Sequence, residues 1–280
     1  MNNITIFGKT KEALKEVNID LQAIVETYAF FMEQQAQDPN FRIPSFRARI
    51  PSGGGFAFDI ITGDKDLNTS VTDFVGVISF SHAANALFDN KNKGMDKPPI
   101  CQSPDGVMGI DFSGTKKRCE TCEYNQWGSD EKGGGGKQCK NMRRLYILAD
   151  GCNIPLVMSV PPTSTSNWEN YRSTLAVDRK VPSDVVTEFT LSQEKSGGGE
   201  PYSMVHFKAV GALNEATREA VKQLSPKKDL AITDDDYYTG EATEDAASSA
   251  NSEVLGEQQQ ENSTQPETTE GPKAPNVPNF

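Results

Sequence analysis

Two histidines and five cysteines in 280 residues leave little material for a histidine-based catalytic centre. His82 and His206 have no motif partner nearby, and no Gly-x-Ser-x-Gly nucleophile elbow occurs. The glycine run Gly133–Gly136 followed by Lys137 fails the phosphate-loop pattern twice, at Glu131 and at Gln138. No catalytic constellation emerges, and the expectation is a protein that is not an enzyme. Long apolar runs are missing too. No 18-residue apolar stretch exists to span a membrane. The N-terminal MNNITIFGKTKEALK has no apolar segment leading to a small-residue cleavage site. Together these absences predict a soluble, cytoplasmic protein. An odd number of cysteines suits a disulfide framework poorly and suits metal binding better.

The apolar content of 36% is low for a chain folded throughout, and the charge is unevenly spread. Residues 230–280 carry 11 acids and a single base, Lys273, for a net −10, whereas the 28 acids and 27 bases of residues 1–229 nearly cancel. The acidic segment is rich in Ser, Thr and Gln and poor in large apolar side chains. It cannot bury enough surface to offset its ordering entropy, and a disordered tail over 230–280 is expected. The remainder, 1–229, is read as one domain.

Within that domain, 19–37 has the periodicity of a helix, and 41–50 reads as extended or irregular around Pro44. GFAFDII (55–61) and DFVGVISF (73–80) read as strands. LYILA (145–149) and PLVMSV (155–160) flank a turn sequence, as do VVTEFTL (185–191) and YSMVHFKAV (202–210). In the last of these, Val205, Phe207 and Ala209 alternate with Met204, His206 and Lys208. Helices are expected at 164–177, with Trp168, Tyr171 and Leu175 on one face, and at 214–224. Five or six short strands with few helices predict a mainly β, α+β fold, with an OB-fold-like small barrel as the first choice.

Four of the cysteines, Cys101, Cys119, Cys122 and Cys139, are spaced C-x17-C-x2-C-x16-C. The Cys119–Cys122 pair suits a tight knuckle, and four thiolates suit tetrahedral Zn²⁺. Such a site has no open position, so one structural zinc is expected in an insertion of about 101–142. Cys152 is the alternative to Cys101 as fourth ligand. A redox role for Cys119-Glu120-Thr121-Cys122 is disfavoured by its polar, Gly-rich setting.

Basic and aromatic residues interleave in two places. One is FRIPSFRARI, with Arg42, Phe46, Arg47 and Arg49. The other is the cysteine insertion and its flank, with Lys116, Lys117, Arg118, Trp127, Lys137, Lys140, Arg143 and Arg144. Cations along a backbone and aromatic faces under bases are how single-stranded nucleic acid is held. From 114 to 144, eight bases face four acids, but four thiolates around one zinc would add a formal −2.

These features resemble single-stranded DNA-binding proteins of the phage and mobile-element type. The resemblance rests on a β-rich body with a zinc-bearing insertion and on an acidic tail ending Asn276-Val277-Pro278-Asn279-Phe280. Residues 101–148 also look similar to uncharacterised zinc-motif proteins of phages and mobile elements. Bacterial single-stranded DNA-binding proteins and their phage analogues end in an acidic tail whose last residue is Phe. Here the acids stand farther upstream, and Asn279 is uncharged. The resemblance implies a function in DNA replication or recombination in a bacterial or phage-infected cell. It also implies that Pro278 and Phe280 recruit replication or recombination proteins. A zinc-stabilised protein-binding adaptor is the alternative, supported by the nearly neutral body. A nuclease with dispersed carboxylates is a third.

Overall fold

The computed structural model describes residues 21–38, 41, 46–62, 64–89, 99–130, 135–149, 152 and 154–224. Among these, eleven strands form one mixed sheet with three α-helices against it. The mainly β, α+β expectation holds, but the sheet is not closed into a barrel.

The reason lies in how the strands join. β1 (Phe46–Arg49), β2 (Phe58–Ile61) and β3 (Thr69–Val71) form one flank in the order β3-β2-β1. β1 then pairs in parallel with β9 (Leu156–Val160), which pairs with β8 (Lys140–Ala149), which pairs with β4 (Asp73–Leu87). The 15-residue β4 is long enough for its far edge to be shared. Its first residues, Asp73–Gly76, pair with β10 (Val185–Lys195), which carries β11 (Pro201–Ala212) as a hairpin. Its last residues, Asn85–Leu87, pair with β5 (Cys101–Ser103), followed by β6 (Met108–Asp111) and β7 (Lys116–Arg118). The sheet therefore forks at β4. Gly76 sits where β8 and β10 flank the same residue, and a Cβ there would meet Ile147 Cγ2 at 2.6 Å.

The sheet curls enough to bring β2 against the start of β4. Phe58 packs edge-on to Phe74 at 5.1 Å, and Phe74 stacks on Phe189 of β10 at 4.6 Å. Ser203 of β11 donates to the Gly55 carbonyl at 2.8 Å, so the approach is made by a side chain and a loop. On this concave face lies the main core, with Ile60, Leu145, Ile147, Leu156, Met158 and Val205 all buried. It is capped by α2 (Thr165–Val177), whose Trp168, Tyr171 and Leu175 are buried as the spacing predicts. The Ser164 hydroxyl accepts from the Val205 amide and Asn167 donates to the Val205 carbonyl, fastening the start of α2 to β11.

The opposite face carries a smaller cluster: Val77, Leu148 and Val186 against Ile24 of α1 (Leu21–Gln37) and Val221 of α3 (Glu215–Leu224). Asn214 accepts from the Thr217 amide at 2.8 Å and starts α3. A bulge between Val186 and Thr187 shifts the register of β11. Val210 is thereby turned onto this second cluster while Ala209 is exposed, so the alternation read through Val205 and Phe207 breaks at Ala209. No helix among the described residues is long and apolar enough to cross a membrane.

Candidate metal centre

The fork in β4 places the cysteines. The β8 ladder runs to Ala86↔Lys140, one residue short of Cys139, and the β5 ladder ends at Leu87↔Cys101. Cys139 and Cys101 therefore stand on either side of the same end of β4. From Cys101 the chain runs through β6 and β7 and returns at Cys119, whose amide donates to the Val107 carbonyl at 2.8 Å. Cys119–Cys122 turns tightly, and Cys122 begins a 3-10 turn over Glu123–Asn125. The Cys139 amide then donates to the Tyr124 carbonyl at 2.8 Å, bringing the fourth cysteine beside the knuckle.

Cys101, Cys119, Cys122 and Cys139 line one pocket. Their mutual influence shows in the thiol acidities. Burial, followed by the neighbouring thiolates of Cys119, Cys122 and Cys101, pushes Cys139 up to about 12. Cys101 is raised by burial and then by Cys119 and Cys122. Lys117 and Lys137 act in the opposite direction on Cys101 and Cys139 respectively. Gly109 opens the pocket: a Cβ there would lie 3.0 Å from Cys101 Sγ and 3.7 Å from Cys119 Sγ. Among the described residues, however, no group of three or more His, Cys, Asp or Glu side chains is arranged so that it could hold a metal ion as it stands. The thiols share a pocket without forming a closed cage. Cys152 is elsewhere, buried in the main core.

Three asparagines that sequence spacing could not connect tie the pocket to the sheet. Asn141 of β8 donates at 2.8 Å both to Asn85 of β4 and to Asn125 after the knuckle. Asn125 in turn donates to the Cys119 carbonyl at 2.8 Å. Gln126 donates to the carbonyls of Glu120 and Cys122. Asp111 accepts from the amides of Ser113 and Thr115 and the Ser113 hydroxyl, which holds its carboxyl below the usual range. Between 99 and 139 the buried described residues are Ser103, Gly109, Cys119, Gly136, Gln138 and Cys139. No aliphatic or aromatic side chain among them is buried.

The predicted nucleic-acid contacts are dispersed. Lys116, Lys117 and Arg118 form the exposed edge strand β7, a placement that also blocks edge-to-edge pairing. Lys117 opposes Gly109 and lines the thiol pocket. Trp127 is 76% exposed, with Lys137 Nζ 5.3 Å from its ring centroid. Phe112, which the sequence reading passed over, is 85% exposed. Lys140 is half-buried at the start of β8. Arg143 pairs with Glu169 of α2 at 3.3 Å. Phe46 packs against the main core. Arg47 and Arg49 are half-buried, and Arg144 is only 6% exposed. Arg42, Pro278 and Phe280, with the rest of the 230–280 tail, lie outside the described residues.

Comparison with known families, with curated proteins and with solved structures finds no match to this chain.

Proposed function

We propose that this chain is a non-enzymatic single-stranded DNA-binding protein of phage or mobile-element replication or recombination, with one structural zinc. The observation that carries the reading is the pair Trp127 and Lys137. A large aromatic ring stands exposed in a polar loop with a cation over it, on a module anchored by cysteines. A base stacked on such a ring is worth about 1–3 kcal/mol, and the adjacent ammonium faces the phosphate that follows. The exposed bases of β7 extend the positive surface.

Zinc is supported by what the module lacks. A segment whose apolar side chains, such as Ile100, Met108, Ile110 and Tyr124, are at most half-buried has only a weak hydrophobic term to oppose chain entropy, and small modules of this kind depend on a staple. The donor set, four thiols around one pocket floored by Gly109, suits Zn²⁺. A dication would reverse the mutual repulsion of the thiolates, draw the sulfurs inward and supply on the order of 10–16 kcal/mol to the module.

The acidic segment 230–280 competes for the basic surface, and Pro278 and Phe280 at its tip take a partner protein. Titrating fluorescent oligo-dT tests the reading. Trp127 emission should be quenched, affinity should fall with salt at about −0.7 per phosphate neutralised, and Trp127→Ala should weaken binding about tenfold. Full affinity in Trp127→Ala returns the residue to another role. The second reading, a zinc-stabilised protein-binding adaptor, is favoured by the exposed apolar Phe112 and Val107 on the same module. It predicts no strand affinity even at low salt.

A further inference from the structure

The β6–β7 hairpin has two unlike faces. Cys101 pairs with Asp111, and Gly109 pairs with Lys117. Cys101, Gly109 and Lys117 line the thiol pocket. Side chains alternate along a strand, so Met108, Ile110, Lys116 and Arg118 belong to the other face. There Ile110 opposes Lys116 and Met108 opposes Arg118. The three bases of β7 look equivalent in sequence, but the register divides them. Lys117 turns to the thiols, while Lys116 and Arg118 turn away from them. Both are exposed. Their Cα atoms lie roughly 6.7 Å apart, at about 3.3–3.4 Å per residue. The one carboxylate in β5–β7, Asp111, is on the thiol side.

The turn that joins β6 to β7 is firmly held. The Phe112 amide donates to the Ile100 carbonyl at 3.3 Å, which extends the β5–β6 ladder by one residue. The Asp111 amide donates to the Thr115 carbonyl at 3.1 Å, and the Gly114 amide donates to the Asp111 carbonyl at 2.9 Å. The Asp111 carboxylate accepts from the Ser113 amide, the Ser113 hydroxyl and the Thr115 amide at 2.9, 2.6 and 2.9 Å. Phe112 stands two residues after Ile110 and is held on the ladder, so it falls on the face of Lys116 and Arg118. Its ring is 85% exposed. A phenyl ring at that exposure adds nothing to a core, yet the backbone on both sides of it is fixed. Such a ring has already given up the backbone freedom that binding would otherwise cost.

We propose that Phe112 is a second base-stacking residue for single-stranded DNA, and that Lys116 and Arg118 hold the phosphates beside it. A single strand offers free base faces to the ring, whereas a duplex keeps them stacked inside. Its phosphates meet two cations on a face of β5–β7 that carries no carboxylate. A partner docking on Phe112 by apolar contact alone would make no use of those cations. Lys117 is left to the thiol pocket. The inference rests on the proposed strand-binding function and gives it a second contact, apart from the Trp127 loop.

The test uses the full chain and fluorescein-labelled dT20 followed by anisotropy over a salt series. Phe112→Ala and Phe112→Leu should each weaken binding about tenfold without changing the salt slope, and Phe112→Trp should recover that loss. Lys116→Ala/Arg118→Ala should weaken binding and make the slope shallower by about 1.4, the share of two phosphates. Lys208→Ala, on the β10–β11 hairpin at the other end of β4, controls for loss of a surface charge and should bind as wild type. Photo-crosslinking to dT20 that carries 5-iodouracil gives an independent readout, because peptide mapping should mark Phe112. Wild-type affinity in Phe112→Ala overturns the inference, and so does wild-type affinity in Phe112→Leu, where apolar contact without a ring suffices. If Trp127→Ala alone then weakens binding, the strand-binding function survives without Phe112. A wild-type chain that binds no single strand at any salt overturns both and leaves Phe112 to the protein-binding adaptor.

Discussion

The main sheet and the cysteine module are built on opposite economies. Around Phe74, Phe189 and Trp168 the sheet is dense with buried apolar side chains. The module from β5 to Cys139 buries none, and its interior is thiols, glycine backbone and polar side chains. The sheet holds itself by the hydrophobic effect, so it tolerates changes at its surface. The module is held by hydrogen bonds within its turns; on the proposed reading a metal on its four thiols adds to these, and the module should then answer to metal and to oxidant rather than to core volume. One strand, β4, serves both: its first half lies in the core and its last residues carry β5.

The sharpest way to break this contrast is from the sheet side. Phe189 is fully buried, stacked on Phe74 and edge-on to Phe207 at 5.8 Å. Phe189→Ala should cost about 3–5 kcal/mol and lower the denaturant midpoint of the whole fold without altering bound metal per folded chain. From the module side, Cys122→Ser should leave the sheet transition nearly in place. Amide exchange should instead become fast across 101–139 while β8, β9 and β10 stay protected.

Smaller changes probe the join between the regions. Asn141→Leu removes the donor that ties Asn85 to Asn125, and should weaken metal affinity by about 10–100-fold, measured by competition with a chelator. Gly109→Ala places a methyl against two sulfurs and should act in the same direction. Gly76→Ala meets Ile147 and the Leu148 carbonyl, and should cost the sheet about 1–3 kcal/mol with no effect on metal.

The smallest effect is one of pH. With the folded pKa of His82 lowered, the unfolded chain takes up the proton first as pH falls through the ordinary value of 6.5. Folding stability should therefore be lost below that pH down to the folded pKa, and His82→Gln should flatten this part of the stability-versus-pH curve.

What could be read without coordinates follows the same division. The β10–β11 hairpin and α2 were legible because burial writes itself as period two and as helical spacing, in Val205/Phe207 and Trp168/Tyr171/Leu175. The short strands β5–β7 were not, because a module without an apolar interior leaves no hydrophobic period to detect. The OB-fold-like small barrel expected from the sequence is replaced by an open mixed sheet, because β4 pairs on its far edge with two separate sets of strands, and a fork of this kind depends on register. The cysteine spacing did point to four residues that share a pocket, with Cys152 set apart in the core. The asparagine links come from residues far apart in the chain, and only strand pairing brings them together.

Elemental analysis of the full chain, purified in the presence of reductant and without added metal, tests the account most directly. It predicts one zinc per chain in the wild type and in Cys152→Ser, and loss of that zinc in Cys101→Ser and Cys139→Ser. A wild-type chain that carries no metal and binds none on titration with Zn²⁺, yet keeps slow amide exchange across 101–139, would contradict it.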